Sequence, residues 1–362
     1  QAGFYEANLK QKHGADSWLA RHVDLTVARM FDWGLNTVGA WSLPEMTTTG
    51  RVPYTLIVHT EKDGLGSVAK IPDPFSDAFK ASLHSQLEKF AAVHAESPWL
   101  LGVFIHNELD WHGGNELAEQ VLKTPDRTPA RLALERMLRE RHGDIAGLNR
   151  AWGTDFDSFA SARTRPPAGA PEAYARDLRD FMAKIADTYF AVCRAAMDRY
   201  FPKHLYLGCR FNNFNPIVTA ASSRYCDVVS ANLYRYTVSG FSMPADQDRP
   251  LLIGEFHFGM RDYGLWGVGL AWASDARNQA DLFQAYMSDA LRHPQIVGAH
   301  WFMWCDQVVT GRADGENFGV GLVSVVDRPN PTLVEAIRSV ADQARDYRLQ
   351  KPAMRIGAPA GR

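Results

Sequence analysis

The chain has 362 residues and is close to electroneutral, with 39 Lys and Arg against 41 Asp and Glu and a formal net charge of −2. That balance leaves no polyelectrolyte footprint and argues against nucleic acid or anionic lipid as the main partner. With 46% hydrophobic and 22% charged residues, intrinsic disorder and a disulfide scaffold are excluded, and a chain this long can bury a full core as two domains or one large α/β barrel.

The sequence begins at Gln1 with neither an initiator Met nor a signal-peptide pattern, so the natural N-terminus is expected to lie upstream. A helical pattern over 17–33 closes on Gly34 and feeds NTVGAW (36–41), the first of seven short apolar runs. The others are YTLIVH (54–59), LLGVFIHNE (100–108), LYLGCRF (205–211), DVVSANLY (227–234), LLIGEF (251–256) and IVGAHWFMW (296–304). Continuous apolar character, rather than strict alternation, suits strands of a parallel sheet buried on both faces. Helical patterns lie between them at 75–96, 171–200, 276–292 and 331–347. In the longest, Leu178, Phe181, Met182, Ile185, Tyr189, Phe190, Cys193 and Met197 recur at steps of three and four, with Pro171 at the start and Pro202 beyond the end.

Strands alternating with helices predict an α/β protein. No GxGxxG turn follows the first strand, and seven units exceed an ordinary doubly wound sheet, so the expected architecture is a (β/α)8 TIM barrel over residues 1–350. Seven runs are one short of eight, which places the first barrel strand before Gln1, outside this chain. Residues 109–170 form a long insertion after barrel strand four, with a charged helix near 128–142 and the loop 163–171; an insertion of that length is expected to border a site. Residues 351–362 read as a poorly ordered tail. No run approaches the about 18 apolar residues of a membrane span. Cys193, Cys209, Cys226 and Cys305 are scattered without CxxC spacing and are expected to be buried thiols.

In a parallel barrel the reactive side chains gather at the C-terminal ends of the strands. Those ends carry Trp41, His59, the trio His106, Asn107 and Glu108, then Asn212 and Asn213, Asn232 and Tyr234, Glu255 and His257, and finally Trp301, Trp304, Asp306 and Gln307. Carboxylates, amides and indoles, without a phosphate cradle, a strand-end Lys or an HxH pair, suit a sugar, whose apolar face stacks on indoles and whose hydroxyls bind amides and acids. Glu108 and Glu255 each end an apolar strand, where an acid faces the barrel mouth or is buried at heavy cost. Two such carboxylates match the acid and nucleophile of a glycosidase. The alternative for either is a structural ion pair, for example with Arg210. Trp301 and Trp304 read equally as sugar platforms or barrel packing. His59, His106 and His257 read as hydroxyl ligands or as hydrogen-bonded structural residues. Asp306, Gln307, Glu316 and Asn317, on the loop after the last strand, read as subsite or solvated-loop residues. The histidines fit no metal-ligand spacing with Glu108, and Gly113-Gly114 interrupts His112 and Glu116, so neither metal nor cofactor is expected.

These residues carry a resemblance. Asn107-Glu108 ending GVFIHNE and Glu255 ending LLIGEF resemble the acid/base and nucleophile signatures of the glycoside hydrolase clan A barrels at strands four and seven. FYEANLKQKHG (4–14), GEFHFGMRDYG (254–264) and HWFMWCDQVVTGRADGENFGVGLV (300–323) resemble glycoside hydrolase family 50, the β-agarases, and RHGDIAGLNRAWGTDF (141–156) resembles family 42 β-galactosidases of the same clan. The resemblance implies a retaining β-glycosidase acting on agarose or a related galactan, with an oligo- or polysaccharide as partner and a secreted or periplasmic location. By it, Glu108 is the general acid/base, Glu255 the nucleophile, Asn107 a ligand of the 2-hydroxyl, and Tyr234 a hydrogen-bond donor that keeps Glu255 aimed. A β-galactosidase acting on small galactosides and a catalytically silent glycan-binding barrel are the alternatives.

Overall fold

The computed structural model describes residues 3–61, 67–68, 71–111, 116–124, 127–163, 171–243 and 247–349. The tail 351–362, His112 with Gly113-Gly114, and most of the 163–171 loop lie outside the described residues. In chain order come α1 (Phe4–His13), α2 (Trp18–Trp33), α3 (Pro44–Thr47), β1 (Tyr54–Val58), β2 (Ser67–Val68), β3 (Ile71–Pro72), α4 (Asp77–His94) and β4 (Leu100–Ile105). Then follow α5 (Glu116–Lys123), α6 (Pro129–His142), α7 (Ile145–Trp152), α8 (Glu172–Tyr200), β5 (Leu205–Tyr206), α9 (Pro216–Tyr225) and β6 (Val229–Asn232). The chain closes with β7 (Leu251–Phe256), α10 (Ala276–Arg292), β8 (Ile296–Trp301) and α11 (Pro331–Leu349). The described strands form sheets ordered β1-β4-β5, β2-β3 and β6-β7-β8.

The chain divides into two compact units, the first from the described residues within 1–55, 231–243 and 250–362. Its sheet pairs β7 with β8 in parallel, Leu251 opposite Ile296 and Phe256 opposite Trp301. Leu251, Ile253, Gly254, Glu255 and Phe256 are all buried, as expected of a strand covered on both faces. Phe256 stacks on Tyr286 of α10 with ring centroids 4.4 Å apart, fixing helix against sheet. Asp275 caps α10 by accepting the Asn278 N–H at 2.8 Å.

The second unit comprises the described residues within 56–230 and 244–249. Here β4 and β5 pair in parallel, with Gly102 opposite Leu205. Two buried charges, Arg131 within the insertion and Asp177 on α8, tie the short helices of the insertion down. Arg131 donates to the carbonyls of Leu122, Phe159 and Ala162 at 2.8, 2.7 and 3.1 Å. Asp177 on α8, with no exposed side-chain surface, accepts from Arg141 at 2.6 Å, His142 at 2.7 Å and Trp152 at 2.8 Å. Three residues of the 141–156 segment therefore converge on one carboxylate.

Several predicted strands shorten, two of them furthest. In 36–41 Val38 alone is buried, and it makes a single parallel bridge to Tyr54, because one inward side chain gives a longer ladder nothing to bury. The 205–211 run is reduced to Leu205–Tyr206, because Gly208 at φ 75 and Arg210 at φ 55 are left-handed and cannot continue a ladder. The four cysteines are buried free thiols; burial pushes Cys193 and Cys209 up to about 12, which leaves them unreactive.

Candidate active site

In the first unit the apolar run of β7 carries Glu255 inward, to 7% exposure. A carboxylate at that depth needs donors. The Tyr234 hydroxyl donates to Oε2 at 2.5 Å, and the indole N–H of Trp41 donates to Oε1 at 2.7 Å. Tyr234 follows β6, where the Leu233 N–H donates to the Glu255 carbonyl at 2.9 Å and sets the register. Behind Tyr234 packs His257, its ring centroid 4.5 Å away. Nε2 of His257 accepts the Leu270 N–H at 2.9 Å, so Nδ1 carries the proton and donates to the Phe302 carbonyl at 3.1 Å. Burial lowers His257 to about 4, which keeps this tautomer neutral. Gly269 makes the approach possible, since a Cβ there would lie 2.2 Å from His257 Nε2 and its φ is +73°.

Trp301 donates to the Val320 carbonyl at 2.8 Å and lies edge-on to Phe256 at 5.2 Å, while Trp304 stacks on Trp33 at 5.4 Å. The loop after β8 ties itself together. Asp306 accepts the Gly321 N–H at 2.7 Å, and burial, opposed by backbone donors from Gly321 and Val320, raises its carboxyl to about 6. Gln307 donates to Glu316 at 2.8 Å and accepts the Phe318 N–H at 2.7 Å. Arg312 lies 3.4 Å from Glu316; its charge is reinforced first by the hydrogen bond to Asp314 and further by the fields of Glu316 and Glu255. Asn317 and Glu316 are half-buried on the same loop.

In the second unit β4 stops at Ile105 because His106 at φ 64 and Glu108 at φ 48 leave the extended region, and Arg210 at φ 55 does the same after β5. Left-handed residues other than glycine cost about 1–3 kcal/mol each and persist where surrounding contacts over-determine them. Those contacts are present. The Glu108 N–H donates to the carbonyls of Cys209 and Arg210 at 3.2 and 3.3 Å. Nε2 of His106 accepts the Thr60 N–H at 3.3 Å, and Nδ1 lies 2.8 Å from the Tyr189 hydroxyl, which itself donates to the Ile105 carbonyl at 3.3 Å. Burial, with a smaller push from His59, lowers His106 to about 3. Arg210 donates from Nε to Asn107 Oδ1 at 2.7 Å and lies 4.9 Å over the Phe104 ring. His59 is exposed and edge-on to His106 at 5.9 Å; Asn212 is exposed beyond β5.

The structure thus gathers Trp41, Tyr234, Glu255 and His257 in one cluster and Asp306, Gln307, Glu316 and Asn317 on one loop of the first unit. It holds Asn107 and Glu108 on a strained turn of the second. Sequence reasoning missed Thr60, Tyr189 and Arg312. Tyr189 was hidden in the apolar stripe of α8, and Arg312 lies in a loop, where no helical period marks its approach to Glu316. Among the described residues, no group of three or more His, Cys, Asp or Glu side chains is arranged to hold a metal ion.

The Glyco_hydro_42 family, described as Beta-galactosidase, matches residues 63–253, just over half of the chain. Beta-agarase B of Vibrio sp. (strain JT0107) is 34% identical over 383 residues, covering 96% of this chain and 39% of that protein. Beta-agarase A of the same organism is 32% identical over 369 residues, covering 92% and 37%. A solved exo-β-agarase superposes with a TM-score of 0.90 at 32% identity, across 95% of this chain and 50% of the other. The chain spans about two fifths of the length of these curated relatives.

Proposed function

We propose, from the premise that this chain belongs to the Glyco_hydro_42 family of glycoside hydrolases and is β-agarase-like in the manner of family 50, that it hydrolyses β-galactosidic linkages in agarose or a related galactan. The observation that carries the reading is Glu255: a buried strand-end carboxylate with a donor on each oxygen, Trp41 on one and Tyr234 on the other. The proposed frame is a (β/α)8 barrel over residues 1–350, with the 109–170 insertion bordering the substrate.

The reaction is a double displacement. Protonated Glu108 donates to the leaving glycosidic oxygen while Glu255 attacks the anomeric carbon; the glycosidic C–O bond breaks and a glycosyl ester of Glu255 forms. Glu108, now ionised, takes a proton from water, which attacks the same carbon and expels the Glu255 carboxylate. The two inversions give retention, and the chemistry requires carboxyl groups about 5–5.5 Å apart. Asn107, oriented by Arg210, binds the 2-hydroxyl. Trp41, Trp301 and Trp304 offer indole faces, and His59, Asn212, Asp306, Gln307, Glu316 and Asn317 are assigned to the subsites around them. His257, expected there as a hydroxyl ligand, is buried with both ring nitrogens engaged by the Leu270 N–H and the Phe302 carbonyl, and backs Tyr234 instead. A polysaccharide too large to cross a membrane supports a secreted or periplasmic setting; no described helix is long and apolar enough to span one.

The β-galactosidase description of the matching family favours a second reading, hydrolysis of small galactosides. Reducing-end release from agarose, κ-carrageenan and a nitrophenyl β-galactoside separates the two, and proton NMR of the first-formed anomer reads the stereochemistry. Activity confined to the small galactoside overturns the agarose reading, and first-formed α-anomer overturns the double displacement. Glu108→Gln and Glu255→Gln should each lower turnover by orders of magnitude with unchanged folding; near-normal turnover in either removes that residue from the mechanism.

A further inference from the structure

Trp41 combines two properties seldom found in one side chain. About half of its surface (51%) is exposed, yet its only polar atom is turned inward, donating to Glu255 Oε1 at 2.7 Å. An exposed indole ordinarily gives its N–H to water. Here the N–H restrains a carboxylate of 7% exposure whose other oxygen is held by Tyr234. With a donor on each oxygen, the carboxylate cannot rotate about its Cγ–Cδ bond without breaking a charge-assisted hydrogen bond. The residue that supplies one of those donors keeps about half of its surface open to solvent.

We propose that Trp41 is a positioning residue for Glu255 as well as an aromatic floor for the sugar, so that binding surface and nucleophile alignment are set by the same ring. The proposal rests on reading Glu255 as the nucleophile and deepens it. A sugar seated on the indole face is thereby placed against a carboxylate whose orientation that indole fixes, and the Oε1 donor steadies the negative charge again when the glycosyl ester is cleaved. Both functions sit in one side chain, and a substitution can separate them.

Trp41→Phe keeps an aromatic face and removes the N–H; Trp41→Ala removes both. Initial rates on agarose and on a nitrophenyl β-galactoside are measured for both variants, wild type and Glu255→Gln, with thermal melting of each. For Trp41→Phe, kcat should fall about 10- to 100-fold, the worth of a hydrogen bond to a charged group, with KM within about twofold. Trp41→Ala should show the same fall in kcat and a further rise in KM. Wild-type kcat in Trp41→Phe overturns the positioning role and leaves a floor alone, and a kcat loss accompanied by a lower Tm overturns it in favour of a structural role. Glu255→Gln as active as wild type overturns the underlying reading instead, so the two failures are distinguishable.

Discussion

Asp306 offers the sharpest test of how burial and chemistry trade against each other. Its carboxyl is raised from 3.8 to about 6, chiefly by burial, against the pull of backbone donors such as the Gly321 N–H at 2.7 Å. The folded state therefore binds the proton more tightly than the unfolded chain, so stability is fully present below pH 3.8 and is lost as pH rises through 6. Linkage gives a cost of about 1 kcal/mol at pH 4.5 and about 3 kcal/mol at pH 8. Asp306→Asn keeps an oxygen to accept the Gly321 N–H but carries no charge to desolvate. Urea unfolding at the two pH values should show the variant more stable by those amounts, with an unchanged m-value. An equal difference at both pH values, or a less stable variant at pH 8, refutes the reasoning. If Asp306 also binds a sugar hydroxyl, the stabilised variant should lose activity, the usual signature of a side chain kept for function.

Tyr234→Phe removes the 2.5 Å donor to Glu255 Oε2 and should lower kcat/KM about 10- to 100-fold in steady-state assays, without lowering Tm. Asp177→Asn replaces a fully buried acceptor facing Arg141, His142 and Trp152 and should destabilise by about 3–5 kcal/mol in denaturant unfolding, with faster amide exchange across 141–152. Gly269→Ala forces a Cβ into His257 Nε2 at a left-handed φ; both Tm and activity should fall, and an unchanged variant would contradict the packing behind Tyr234.

What the sequence made legible follows from what each signal measures. LLIGEF (251–256) and the helix at 276–292 match β7 and α10 residue for residue, because burial on both faces and a capped amphipathic period both leave their mark in composition. The Tyr234–Glu255 bond was expected from the family pattern and is present. The left-handed backbone at His106, Glu108 and Arg210 was not readable, because only glycine advertises such a φ. The turn that presents Asn107 and Glu108 is accordingly visible in space alone. Helix α9 was overlooked although Asn215-Pro216 is a cap followed by a proline at the first helical position, with Asn215 accepting the Ile217 N–H at 3.0 Å. That signal was local, and the short apolar content of the helix concealed it.

The engaged state of the two buried histidines has a practical bearing on solution experiments. His257 and His106 are lowered to about 4 and about 3, and each ring nitrogen already faces a main-chain group or a hydroxyl. Neither ring changes charge between pH 5 and 9, so an inflection near pH 6 in a rate profile does not arise from either of them, whereas Asp306, raised to about 6, titrates in that range. For the same reason an acylating reagent aimed at imidazole finds no free lone pair on either ring. Inactivation by such a reagent would report on exposed histidines such as His59, and protection by substrate would locate that ring near the bound sugar.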